Sequence, residues 1–143
     1  MCIFNIISLI YGNFPKNIRI QKELIMICDF HVHTCMSSDS DADIKMVIEK
    51  AISLGMKYLC ITDHHDIDYE DGTFLLNPAD YYNCLASVRE QFRDRVQLLI
   101  GVELGLQPHL KTECTEFVHS VPFDFVIGSL HLIHGKRKWW NLL

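Results

Sequence analysis

Short apolar runs alternate along this chain with stretches whose apolar residues recur at helical spacing. The runs over residues 27–34, 58–65, 97–103 and 123–131 are mostly apolar, close on or near a histidine or an acid, and predict buried strands. After the first, Ser40 and Asp43 have the spacing of a capping box. Ile44, Val47, Ile48 and Ala51 then share one helical face, and Gly55 stands where a C′ residue would. A second helix opens at Asn77-Pro78 and carries Tyr81, Leu85, Val88 and Phe92 on one side. A third is expected over residues 110–120, ended by Pro122, although Thr112, Cys114 and Thr115 are weak helix formers. The order βαβαβαβ predicts an α/β fold of parallel strands joined by right-handed crossovers. A full (β/α) barrel takes about 250 residues. This chain has 143 and stops just after its fourth strand, so the expected architecture is half a TIM-like barrel.

Composition narrows the classes. A formal charge of −5 argues against a broad phosphate-binding surface, so no nucleic-acid partner is expected. The locally basic, aromatic segment Lys136-Arg137-Lys138-Trp139-Trp140 reads as a solvent-facing tail. Six cysteines without a Cys-x-x-Cys pair fit a reducing cytoplasm, and Cys28 and Cys60 read as small hydrophobes within strands. The apolar run over residues 2–11 is shorter than the roughly 20 residues of a bilayer span. It also lacks the basic start and cleavage site of a signal peptide, so no membrane partner is expected. The first strand begins just after Met26, and Lys22-Glu23 can be encoded by codons resembling a purine-rich ribosome-binding site. Residues 1–25 are therefore expected to be a leader upstream of the native start, with the functional domain over 26–143. The oligomeric state is not legible.

The candidate chemistry sits at the strand ends. His31, His33 and Asp39 follow the first strand, His64 the second, Glu103 closes the third and His131 the fourth. A strand presenting His-x-His points both imidazoles the same way, because side chains alternate with period two, and such a pair can chelate one ion. Asp41 and Asp43 are rivals to Asp39, and helix capping also wants acids there. Cys35 is a rival ligand beside an otherwise harder N/O set. His65 reads as a phosphate contact or as a neighbour without a role, and His109, His119 and His134 as structural or exposed. Asp29 and Asp63, next to the ligand strands, are expected to orient histidines as hydrogen-bond acceptors.

The motifs Asp29-Phe30-His31-Val32-His33-Thr34, Ile61-Thr62-Asp63-His64, Gly101-Val102-Glu103-Leu104-Gly105 and Ile127-Gly128-Ser129-Leu130-His131 occur in an order that resembles the polymerase-and-histidinol-phosphatase (PHP) superfamily. The run Glu103-Leu104-Gly105-Leu106-Gln107-Pro108-His109 and the helix with Asp80-Tyr81 look most like its monofunctional histidinol-phosphatase branch. The resemblance covers Met26 to about His134, and the tail beyond Leu132 departs from it as sequence read past a frameshift or a fragment end would. It implies the N-terminal half of a distorted seven-stranded (β/α) barrel, with up to three divalent ions of zinc, manganese or iron. By matching position, His31 and His33 would bind one ion, Glu103 would bridge it to a second held by His131, and Asp39 and His64 would help hold the third. The remaining family ligands, a histidine and a late Asp-x-His, belong to later strands, which leaves each ion one ligand short and strand four with an open edge. The implied activity is metal-dependent hydrolysis of a small phosphorylated metabolite, histidinol phosphate, in histidine biosynthesis. Another phosphoesterase of the superfamily, acting on nucleotides or phosphotyrosine, and a non-catalytic fragment with residual metal binding remain as alternatives.

Overall fold

Apolar runs and helical faces assemble as a curled parallel sheet backed by helices in the computed structural model, which describes residues 27–69, 72–133 and 136–137. The expected leader over residues 1–25 lies outside the described residues, as do His134 and Lys138-Trp139-Trp140 of the tail. The elements run β1 (Cys28–Val32), α1 (Ile44–Ser53), β2 (Tyr58–Ile61), β3 (His64–His65), α2 (Pro78–Phe92), β4 (Gln97–Gly105), a 3₁₀ turn (Pro108–Leu110), α3 (Lys111–Ser120) and β5 (Phe125–Ser129). A short antiparallel ribbon follows, β6 (Leu132–Ile133) with β7 (Lys136–Arg137), where the sequence suggested only a tail.

All strands of the main sheet are parallel. Tyr58 to Ile61 of β2 pair with Gln97 to Ile100 of β4, and β3 continues the same track opposite Glu103 and Leu104. β1 lies beyond β2, and β5 pairs on the other side of β4. The expected second strand over 58–65 is thus one track with a break at Thr62-Asp63. There the chain turns its polar groups to other partners: Thr62 N–H donates to Val32 O (2.8 Å) and Asp63 N–H to the Tyr81 hydroxyl (3.3 Å). Tyr81 in turn donates to Gly101 O (3.0 Å), pinning α2 to both strands.

Alternate residues of β4 explain the two layers. Leu98, Ile100, Val102 and Leu104 are buried among the helices, with Ile48, Leu59, Ile61 and Leu85 in one cluster and Leu110, Cys114 and Phe117 in a second. Each such side chain contributes roughly 1.5–3 kcal/mol on burial. The opposite face is concave. Flat strands three places apart would stand roughly 14 Å from one another at the usual spacing, yet the rings of Phe30 on β1 and Phe125 on β5 are 5.5 Å apart. The sheet is a parallel half-barrel.

Helix ends follow the local chemistry with one correction. Asp43, not Ser40, is the N-cap of α1, accepting from Met46 N–H, so the capping box set on Ser40 does not form. Ser40 instead holds the preceding loop, with Oγ 3.3 Å from His33 O and accepting from Ala42 N–H. Gly55 has φ +75 and ends α1 as expected. Asn77 caps α2 through Asp80 N–H, with Pro78 in its first turn. Among the described residues no helix is long and apolar enough to cross a membrane.

Candidate metal centre

A bulge in β1 aims the first histidine pair. Between Asp29 and Val32 the strand advances three residues while its partner advances two, from Leu59 to Ile61. One extra residue flips the alternation. Asp29 and Val32 can therefore both line the outer groove against Met46 and Val47 of α1, while Phe30 meets Phe125 on the concave face and His31 turns to Glu103.

Glu103 is the centre of the cluster. Its Oε2 lies 2.8 Å from His31 Nε2, 2.9 Å from His33 Nε2 and 3.7 Å from His64 Nε2, and its Oε1 lies 3.0 Å from His131 Nε2. Ser129 Oγ donates to Oε1 at 2.6 Å. Asp39 comes in from the loop after β1, with Oδ2 2.9 Å from His33 Nδ1 and 3.3 Å from His64 Nε2. That loop is folded on itself by Cys35 N–H to Ala42 O and Ser37 N–H to Thr34 O. Adjacent imidazoles stand 5.0, 4.4 and 4.7 Å apart, centre to centre, in the order His31, His33, His64, His131. All six residues singled out at the strand ends are thus brought together.

The electrostatics follow from this crowding. Burial alone would raise the Glu103 carboxyl, but hydrogen bonds from His131, His33, Ser129 and His31 outweigh it and hold Glu103 far below the carboxylate range. Hydrogen bonding to Glu103 raises the His33 imidazole to about 9 against the effect of burial, and Asp39 adds to the rise. Asp66 first and Glu103 second raise His131 to about 9. Asp39 and Asp66 are both lowered: burial opposes the shift, and their histidine partners outweigh it.

Other expectations fall differently. Asp29 accepts from the backbone N–H of His31 (3.1 Å), not from an imidazole. Asp63 is fully buried and accepts from the Thr34 backbone N–H (2.5 Å) and hydroxyl (2.9 Å), so it braces the loop under the histidines instead of orienting a ring. Of the three nearby acids only Asp39 reaches the histidines; Asp43 is the α1 cap, and Asp41 lines the outer groove. Cys35 is exposed and belongs to no metal-competent group among the described residues. His65 is buried, stacks on Phe117 (3.7 Å) and accepts from Leu76 N–H through Nδ1 (3.1 Å), which makes it structural. Exposed His109 pairs with Asp68 (2.7 Å), and His119 is exposed.

Two residues were missed. Asp66 is buried, with Oδ1 2.7 Å from His131 Nδ1 and Oδ2 3.2 Å from His64 Nδ1; the latter contact is close enough for an ion pair but off the line of a hydrogen bond. Ser129 binds Glu103 as described. Both lie two residues from a strand-end histidine, so period-two alternation is the signal that would have found them.

The donor set fits a divalent ion. Among the described residues, three groups have candidate ligand atoms within 4.8 Å of one another: His31, His33 and Glu103; His33, Asp39 and His64; His64, Glu103 and His131. Imidazole nitrogen with carboxylate oxygen suits zinc, manganese or iron. A neutral imidazole has one lone pair, so His33 and His64, each in two groups, can each serve one ion at a time.

Comparison with known proteins agrees. A curated histidinol-phosphatase of Lactococcus lactis is 34% identical over 105 residues, which is 73% of this chain and 39% of the relative. A probable histidinol-phosphatase of Clostridium acetobutylicum is 34% identical over 114 residues, 77% of this chain and 41% of the relative. The chain thus spans about two fifths of the length of these relatives. The crystal structure of a histidinol phosphate phosphatase from Lactococcus lactis, complexed with zinc, L-histidinol and phosphate, superposes with a TM-score of 0.73 at 33% identity, covering 77% of this chain and 42% of that one. The model of the PHP domain matches residues 29–141, past His134, where the resemblance was expected to fade. With four strand-end motifs converging on Glu103 and that match spanning most of its length, the chain belongs to the PHP domain family.

Proposed function

We propose that this chain carries metal-binding machinery of a phosphoester hydrolase of the histidinol-phosphatase type, acting on histidinol phosphate in cytoplasmic histidine biosynthesis. The observation that carries the reading is the meeting of His31, His33, His64 and His131, from three strand ends, around the carboxylate of Glu103 on a fourth strand. In this reading His31, His33 and Glu103 hold one divalent ion, Glu103 and His131 a second, and Asp39 and His64 a third. That division gives each imidazole one ion, as its single lone pair requires. Glu103 is suited to the shared position because a carboxylate has two oxygens to offer. Ser129 fixes one of them, and Asp29 fixes the backbone that carries His31. The ions, of zinc, manganese or iron, would supply Lewis acidity toward phosphoryl oxygens and a nucleophile at neutral pH.

Phosphate release from histidinol phosphate, a nucleoside monophosphate and phosphotyrosine, with added zinc or manganese, tests the reading. Preference for histidinol phosphate is expected; preference for either of the others replaces the substrate and keeps the chemistry. Zinc binding with no hydrolysis of any of the three substrates would replace this reading with metal binding without turnover.

A further inference from the structure

Resting on the metal reading above, we propose that Asp66 is a positioning residue whose buried carboxylate holds the Nδ1 sides of His64 and His131, so that both Nε2 atoms face the ion-binding space. Its two oxygens divide between the rings, Oδ1 at 2.7 Å from His131 Nδ1 and Oδ2 at 3.2 Å from His64 Nδ1. The Nε2 atoms of the same rings point the other way, His131 to Glu103 at 3.0 Å and His64 to Asp39 at 3.3 Å. The two histidines come from different strand ends; Glu103 meets both on their Nε2 sides, and Asp66 meets both on their Nδ1 sides. Its own backbone N–H is held by Phe74 O at 3.0 Å.

The fold makes room for this carboxylate in a specific way. A Cβ on Gly105, at the end of β4, would stand 1.8 Å from Asp66 Oδ1 and 2.7 Å from its Cγ. Any larger residue there would drive the carboxylate out of its recess. An imidazole that donates its Nδ1 proton keeps its lone pair on Nε2, and a carboxylate partner fixes that tautomer and the ring orientation. Without Asp66, either ring is free to carry its proton on Nε2, where no ion can bind.

Three variants test the proposal. Asp66→Asn keeps the side-chain volume but offers one acceptor, so one ring faces an N–H donor and must move its proton to Nε2. Asp66→Ala frees both rings, and Gly105→Ala displaces the carboxylate without changing any charge. Zinc affinity by competition with a chromophoric chelator is read alongside long-range 1H–15N spectra of the histidine side chains, with circular dichroism to check folding. In the zinc-loaded wild-type chain His64 and His131 are expected as Nδ1–H tautomers. In Asp66→Asn and Gly105→Ala the ions that these rings hold should weaken by about 10–100-fold, while the ion at His31 and His33 is retained. If Gly105→Ala does not fold, Asp66→Asn decides. Wild-type affinity and tautomers in folded Asp66→Asn overturn this proposal alone, whereas a wild-type chain that binds no zinc overturns it together with the metal reading.

Discussion

Loading the centre with metal must displace protons, and the structure says from where. His33 and His131 are raised to about 9 by their carboxylate partners. Glu103, Asp39 and Asp66 are held low and have no proton to give at neutral pH. At pH 8 an ordinary imidazole, with a value near 6.5, is almost all neutral, whereas a group at about 9 keeps roughly nine tenths of its protons. Zinc binding at pH 8 should therefore release at least about two protons per chain, one from each ring, with ionisation of metal-bound water adding to that count. Each of the two ions concerned should bind about tenfold more tightly for every pH unit between 7 and 8. Calorimetric titration with zinc in buffers of different ionisation enthalpy gives the proton count directly. The same shifts set the stability of the metal-free chain: a raised histidine stabilises fully below its unfolded value and loses that contribution as pH rises through about 9. Thermal unfolding of chelator-treated protein should accordingly move to lower temperature between pH 7 and 10. A proton count near zero at pH 8, or zinc affinity unchanged from pH 7 to 8, would refute the reasoning.

Glu103→Gln removes the shared carboxylate and puts an amide donor among four imidazoles; zinc affinity should fall at least by the 10–100-fold that loss of a supporting partner costs, measured by chelator competition. His65→Ala should leave zinc affinity within about twofold yet cost roughly 2–4 kcal/mol in urea unfolding, from the orphaned Leu76 N–H and the lost stack on Phe117. A zinc defect in folded His65→Ala would return that residue to the site. Gly101→Ala would place a Cβ 2.7 Å from Cys60 Sγ, 2.8 Å from Thr62 Cγ2 and 3.0 Å from Phe125 O. The last is backbone and cannot yield cheaply, so about 1–3 kcal/mol of destabilisation is expected, and a neutral result would mean that β2, β4 and β5 are less closely packed.

The strands and helices were legible because two periodicities carry them, and the convergence of His31, His33, His64, Glu103 and His131 followed from all of them sitting at strand C-termini. What was not legible depends on partners distant in sequence. The bulge between Asp29 and Val32 is a register effect with β2, visible only once the strands pair. It is also why Asp29 faces the outer groove instead of an imidazole. Asp63 looked like a ring acceptor from its place beside His64, but Thr34, on the neighbouring loop, offers it two donors. Ser40 and Asp43 both suit a cap, and the choice went to Asp43 because the loop from Thr34 onward needs Ser40 for its own backbone. For Asp66 the alternation from His64 was a local signal, but its contact with His131 and its recess at Gly105 depend on residues 65 and 39 positions along the chain.

X-ray absorption at the zinc edge of the loaded protein tests the central claim most directly, since it reads the atoms around the ion. The account predicts a first shell of nitrogen and oxygen near 2.0–2.2 Å with the outer scattering of imidazole rings. A shell dominated by sulfur near 2.3 Å, or protein that retains no zinc after dialysis, would contradict it.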